Sequence, residues 1–265
     1  MREVETNQVM KIILSQYIQF VRNRITFDRE SINGDPMHGL VYDIVNLFFP
    51  RICQACGNAL APADEEICLS CLYLLPYTDF HQITDNPMAQ SLWGRVTVEG
   101  AASFLYFHKG TRVQHLIHRF KYKRRHQIGT FLGRLYGFEL LKHPPYNTVD
   151  MIIPVPLFRK KQLKRGYNQS EVLAKGLSVA LGVPVESSLL FRTMDSSSQT
   201  KKTRDERWDN VKEIFKVIHP EQLEGKHILL VDDVLTTGAT IEACAATLLE
   251  NCDVRISVVT IAYAE

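Results

Sequence analysis

Apolar residues recur along this chain in two rhythms, one helical and one suited to strands. Val9, Ile13, Tyr17, Phe20 and Val21 form an amphipathic stretch that predicts a helix, followed by a polar exit through Ser31, Asn33 and Asp35. Leu40 to Phe49 is an apolar run closed by Pro50, predicting a second helix. Residues 51 to about 80 form a cysteine-bearing module, and Asp85, Asn86 and Pro87 mark a linker beyond it. Strand character then runs from Arg95 to Phe107 around Gly100. Val113, Leu116, Ile117 and Phe120 fall at i, i+3, i+4 and i+7, and Ile128, Leu132, Leu135 and Phe138 suit a following helix.

After Pro144 and Pro145 the pattern alternates between strands and helices. Strands are expected at Val149 to Val155, Val185 to Leu189, Ile228 to Val231 and Val254 to Ile261, and helices at Asn168 to Leu181 and Ile241 to Leu249. Such alternation predicts an α/β fold, a parallel sheet flanked by helices, with ligands taken at the carboxyl ends of the strands. The boundaries expected are an N-terminal extension over 1–36, a module with its preceding helix over 37–80, and the α/β domain over 95–265. Met37 is a candidate alternative start.

Composition narrows this picture. The chain has 265 residues, 45% hydrophobic and 23% charged, which excludes a disordered or collagen-like protein and leaves room for one sizeable core with a small appendage. No stretch nears the roughly 20 apolar residues of a membrane-spanning helix. Two Glu among the first ten residues suit a secretory leader poorly, so the expected compartment is the cytoplasm. Net charge is +2, yet Arg112 to Arg165 carries thirteen Lys or Arg against two acids, Glu139 and Asp150. That local excess of positive charge is suited to an anionic partner, either a phosphorylated small molecule or a nucleic acid.

Four of the six cysteines, Cys53, Cys56, Cys68 and Cys71, lie within nineteen residues as two CxxC pairs. Each pair can be held by a tight turn that aims both sulfurs at one point, and four thiolates make a closed tetrahedral zinc site. A catalytic zinc needs an open position, which four cysteines do not leave, so the zinc expected here is structural and supplies folding energy to a ribbon too small for its own core. Gly57 permits a positive φ after the first pair, and a short helix is expected over Leu72 to Leu75 after the second. Cys244 and Cys252 read as small buried hydrophobes. His115 and His118 lie three apart on a basic helix with no thiol or carboxylate beside them and read as part of its basic face.

The most informative segment is the strand from His227 that ends in Asp232 and Asp233 and runs into Thr236, Thr237, Gly238, Ala239 and Thr240. A glycine-containing turn opening a helix offers backbone N–H groups to an anion, and the threonines add hydroxyl donors. Two carboxylates beside a bare phosphate would repel it. Their presence implies a ligand with hydroxyls next to its phosphate, a phosphorylated pentose, with room for a bound magnesium. A second element, Ile152-Ile153-Pro154-Val155-Pro156, leads into Arg159, Lys160, Lys161, Lys164 and Arg165, cations suited to a pyrophosphate.

The Asp-Asp-Val-Leu-Thr-Thr-Gly-Ala-Thr block resembles the phosphoribosyl-pyrophosphate motif of type I phosphoribosyltransferases. With the four-cysteine ribbon, the basic helix ending Phe120-Lys121-Tyr122 and the Arg165-Gly166-Tyr167-Asn168-Gln169 segment, residues 37 to 265 resemble the ComF family of competence-associated proteins. Tyr167 stands where that family often has Phe, and the tail before Met37 lies outside the pattern. The resemblance implies a type I phosphoribosyltransferase-like domain behind a zinc ribbon. It gives Lys160, Lys161 and Arg165 to the pyrophosphate, Thr236 to Thr240 to the phosphate, and Asp232 and Asp233 to the ribose with its magnesium. It also places Arg192, Gln199, Arg207, Asn210 and Phe215 around a mobile loop, where Arg192 and Arg207 could close over the substrate.

Two functions follow from the resemblance. One is binding of phosphoribosyl pyrophosphate or a related phosphorylated ribose, linked to DNA uptake in natural transformation, with single-stranded DNA or competence machinery proteins as partners. The other is an active phosphoribosyltransferase of nucleotide metabolism that displaces pyrophosphate with a nitrogen acceptor, although no segment reads as an acceptor-specificity element. Lys121, Lys123, Arg124 and Arg125, with Phe120 and Tyr122 interleaved, suit a charged track with stacking rings. The same residues also suit a solvated face, with Phe120 in the core.

Overall fold

The computed structural model describes residues 48–193 and 214–264. The chain divides into two compact units between Leu75 and Pro76.

In the first unit, a short hairpin surrounds the first cysteine pair. Ile52 and Ala59 form an antiparallel bridge, the Cys53 amide donates to the Asn58 carbonyl, and Gly57, at φ +83°, closes the turn by donating to the Cys53 carbonyl. The second pair lies on a short helix, α1 (Leu69–Tyr73), with Cys68 in the extended conformation as its N-cap. This helix starts three residues before the expected Leu72, because the Cys68 carbonyl already accepts from the Leu72 amide. The helices expected over Val9 to Val21 and Leu40 to Phe49 lie outside the described residues, apart from the end of the second.

The second unit contains a four-stranded sheet of β1 (Gly100–Phe107), β2 (Met151–Pro154), β5 (His227–Leu235) and β6 (Arg255–Ala264). Its order is β1-β6-β5-β2 and every neighbouring pair is parallel. Ile228, Leu229, Leu230 and Val231 on β5 are each 0% exposed, which demands cover on both faces of the sheet. That cover includes α6 (Gln169–Leu181) and α7 (Ala239–Asn251), both of which pack on β5. A small antiparallel pair, β3 (Leu190–Arg192) and β4 (Phe215–Val217), flanks the undescribed residues 194–213.

Three expectations change. The strand expected at Val185 to Leu189 is reduced to one parallel bridge from Val185 to Ile152, and regular pairing resumes only in β3. Strand β5 continues two residues past the acid pair, because Val234 and Leu235 pair with Ala262 and Tyr263 of β6. The linker at Asp85-Asn86-Pro87 is instead a fixed corner. Asn86 is 2% exposed and caps α2 (Pro87–Gln90), accepting from the Ala89 amide, while its Nδ2 donates to the carbonyls of Phe80, Ile83 and Ala101. The segment before it also belongs to this unit, since Tyr77 bridges to Leu105.

Two further helices, α3 (Arg112–Tyr122) and α4 (His126–Leu140), follow β1 as expected. Helix α4 crosses α6 at very short range. A Cβ at Gly133 would stand 2.4 Å from the Leu173 carbonyl oxygen, and one at Gly176 would stand 2.3 Å from that of Thr130. The crossing fixes the position of α6, whose first turn faces the site described next.

Candidate phosphoribosyl and metal sites

The two CxxC pairs converge as their spacing predicts. The ligand atoms of Cys53, Cys56, Cys68 and Cys71 all lie within 4.8 Å of one another, and the Cys56 and Cys68 sulfurs are 3.9 Å apart. Sulfurs bound to one ion at about 2.3 Å in a tetrahedron would be separated by roughly 3.8 Å, so the donor set fits a metal ion. The Cys68 amide donates to the Cys53 sulfur at 3.3 Å, a bond that favours the thiolate a metal requires. Cys244 and Cys252 are buried in the second unit, and burial pushes the Cys244 thiol well above its ordinary range.

In the second unit, a cleft of about 470 Å³ opens at the carboxyl ends of the sheet, reached by Phe107 at the end of β1, Val155 and Pro156 after β2, Asp232 to Val234 on β5, and Ala264 on β6. Asp232 and Asp233 lie in its floor. Asp232 is fixed from two sides: its Oδ1 accepts from the Ser170 hydroxyl at 2.9 Å and from the Asp233 amide at 2.8 Å. Burial, with the Asp233 carboxylate beside it, pushes the Asp232 carboxyl up to about 7, against the lowering effect of those bonds and of Lys121. Asp233 forms an ion pair with Lys121, Nζ to Oδ1 3.0 Å.

Ser170 owes its position to the start of α6. Asn168 caps that helix, its Oδ1 accepting from the Ser170 amide, while its Nδ2 donates to the Val155 carbonyl and ties the helix to the end of β2. The turn over 236–240 borders the cleft. Thr236 and Thr240 line it, and Gly238, at φ +74°, is the N-cap of α7. The positive end of this thirteen-residue helix suits an anion, and its first amide, Ala239, donates at 3.5 Å to the Thr237 hydroxyl. Thr237 and Ala239 do not line the cleft; the Thr237 carbonyl instead accepts from Arg95, which also pairs with Glu242. Arg95 stiffens the turn from outside. Glycine is needed at 238 for its positive φ.

The assigned cations separate in space. Arg165 and Arg192 line the cleft, Arg165 held by the Gln169 side-chain oxygen at 2.7 Å and Arg192 lying 5.3 Å over the Phe215 ring. Lys160 and Lys161 do not line it; they sit on α5 (Arg159–Arg165), a helix with no buried residue. Arg207, Gln199 and Asn210 lie outside the described residues.

The basic cluster separates too. Lys123, Arg124 and Arg125 are exposed, Tyr122 is 57% exposed and Phe120 is fully buried in the core. Lys121 turns into the cleft. The helical period contains the signal for this, because Gln114, His118 and Lys121 share a face of α3 and all three line the cleft. Ser170 and Arg95 carried no such signal, since each acts through a partner distant in sequence.

The phosphoribosyl transferase domain family matches residues 165–265. The DNA utilization protein YhgH of Escherichia coli O157:H7 is 35% identical over 206 residues, covering 76% of this chain and 85% of that protein. Competence protein F of Haemophilus influenzae is 28% identical over 215 residues, 73% of this chain and 89% of that protein. This chain belongs to the ComF family. Among solved structures, this ComF protein is similar to the allosteric regulatory enzyme of purine biosynthesis at 18% identity and TM-score 0.38, over 53% of this chain and 29% of that one. No described helix is long and apolar enough to cross a membrane.

Proposed function

We propose that this ComF protein binds phosphoribosyl pyrophosphate, or a related phosphorylated ribose, in the cleft at the carboxyl ends of β1, β2, β5 and β6, and that it serves DNA uptake. The observation that carries this is the acid pair on β5 facing the same cleft as Thr236 and Thr240 at the N-terminus of α7. The 5′-phosphate sits on the 236–240 turn, and Asp232 and Asp233 accept from the ribose hydroxyls. Arg165 takes the pyrophosphate, Lys160 and Lys161 add positive charge from the same helix, and Arg192 and Arg207 close over the ligand. Magnesium enters with the diphosphate, since two carboxylates suit a hard divalent cation. The four cysteines hold structural zinc, for which the compartment is the cytoplasm.

The names of the relatives favour handling of DNA, and the exposed Lys123, Arg124 and Arg125 beside the exposed ring of Tyr122 suit a single strand or a competence protein. A second reading, an active phosphoribosyltransferase, is favoured by the half-apolar wall of the cleft formed by Phe107, Ile117, His118 and Tyr122, which suits a planar nitrogen acceptor. In that reading Arg165 and magnesium stabilise the departing pyrophosphate, and the acid pair lies near the positive charge that develops on the ring.

Incubation of phosphoribosyl pyrophosphate and magnesium with a panel of bases separates the two. Pyrophosphate release that depends on one base marks the transferase, and saturable binding without consumption marks the binder. Absence of binding would defeat both.

A further inference from the structure

Lys121 is a cation in the cleft that neither the phosphate turn nor the pyrophosphate cations account for. It comes from α3, is 19% exposed, and places its ammonium 3.0 Å from the Asp233 carboxylate, itself 11% exposed. An acid pair this close to a phosphate site carries an electrostatic cost unless a cation offsets it. A divalent ion is one solution, and an ammonium tethered to the fold is another. Lys121 has three donors and spends one on Asp233, leaving the rest of its charge facing the cleft that it lines. Asp232 is held by Ser170 and the Asp233 amide, and the Lys121 ammonium favours its charged form as well.

We infer that Lys121 is a built-in cation of the acid pair, which lets this cleft bind a phosphorylated pentose lacking a diphosphate without any divalent metal. This rests on the phosphoribosyl reading above and deepens it. Magnesium is then required only by ligands that bring it on their own diphosphate. Lys121 is a specificity-determining residue for the sugar end of the ligand, and it is separate from the exposed Lys123, Arg124 and Arg125.

The test is titration of the full chain with ribose 5-phosphate, in chelator and in magnesium. The wild type is expected to bind equally well in both. Lys121→Met is expected to lose about tenfold or more in chelator, the scale of one charge-assisted contact, and to regain affinity when magnesium is added. A general structural defect would not be rescued by the metal. Should Lys121→Met fail to fold, Lys121→Met/Asp233→Asn removes both charges together, and it is expected to bind more weakly than wild type and to gain nothing from magnesium. A wild type that needs magnesium for ribose 5-phosphate, or a Lys121→Met that binds normally in chelator, overturns the inference. If phosphoribosyl pyrophosphate with magnesium still binds in that case, the phosphoribosyl reading stands; if neither ligand binds, both fall.

Discussion

Asp232 shows how one carboxyl can depend on its neighbours. Its proton is retained to about pH 7 because burial and Asp233 disfavour the charged form more than Ser170, the Asp233 amide and Lys121 favour it. The sign of the consequence follows from linkage. An acid whose folded-state pKa is raised binds more protons folded than unfolded, so it makes stability fall as pH rises from about 4 to about 7, by at most about 1.4 kcal/mol per pH unit. Unfolding of Asp232→Asn across that window is expected to show a shallower pH slope than the wild type, and an unchanged slope would remove Asp232 from the explanation. Ligand affinity moves the other way. If the cleft takes a phosphorylated ribose through this pair, its affinity is expected to rise as Asp232 loses its proton, which titration with ribose 5-phosphate at a series of pH values checks.

The elements that place these residues were legible to different degrees. Strand β5, helix α7 and the stripe of α3 are legible in apolar spacing, and the meeting of four cysteines in the spacing of their CxxC pairs. Of the stripe expected on α4, Ile128 and Leu132 are buried, whereas Leu135 and Phe138 are only half-buried and Phe131, Tyr136 and Leu140 join the core face instead. The α4–α6 crossing was not legible, because its contacts join residues forty or more positions apart and depend on missing side chains at Gly133 and Gly176 rather than on any apolar pattern. Asn86 was misread for a related reason: an Asp-Asn-Pro run is turn chemistry whether it lies on a linker or caps a buried helix. Gly176→Val places new carbons where the Thr130 carbonyl and Arg134 amide already lie. It is expected to cost about 1–3 kcal/mol or more in thermal unfolding and, through displacement of Ser170, to weaken ligand binding. Wild-type melting would show that the helices separate without cost.

At the scale of the whole molecule, the +2 net charge conceals two uses of one basic region. Arg165 and Lys121 face the cleft, while Lys123, Arg124 and Arg125 face outward. Sequence alone ran these together, since charge runs do not state which way a side chain turns. If the outward group binds single-stranded DNA, replacing all three by Gln should reduce the slope of log affinity against log salt by about 2, at roughly 0.7 per phosphate contact. An unchanged slope would take that group out of DNA binding. The ribbon makes its own prediction. Metal analysis is expected to find one zinc per chain, absent from Cys56→Ser, and a full complement in that variant would contradict a four-thiolate site.

The central claim is that the cleft at the carboxyl ends of the parallel strands takes a phosphorylated ribose through its acid pair. Calorimetric titration with phosphoribosyl pyrophosphate and magnesium tests it most directly. One saturable site per chain in the wild type, lost in a folded Asp232→Asn/Asp233→Asn variant, is the predicted result. No binding by the wild type, or binding that survives in the variant, would contradict it.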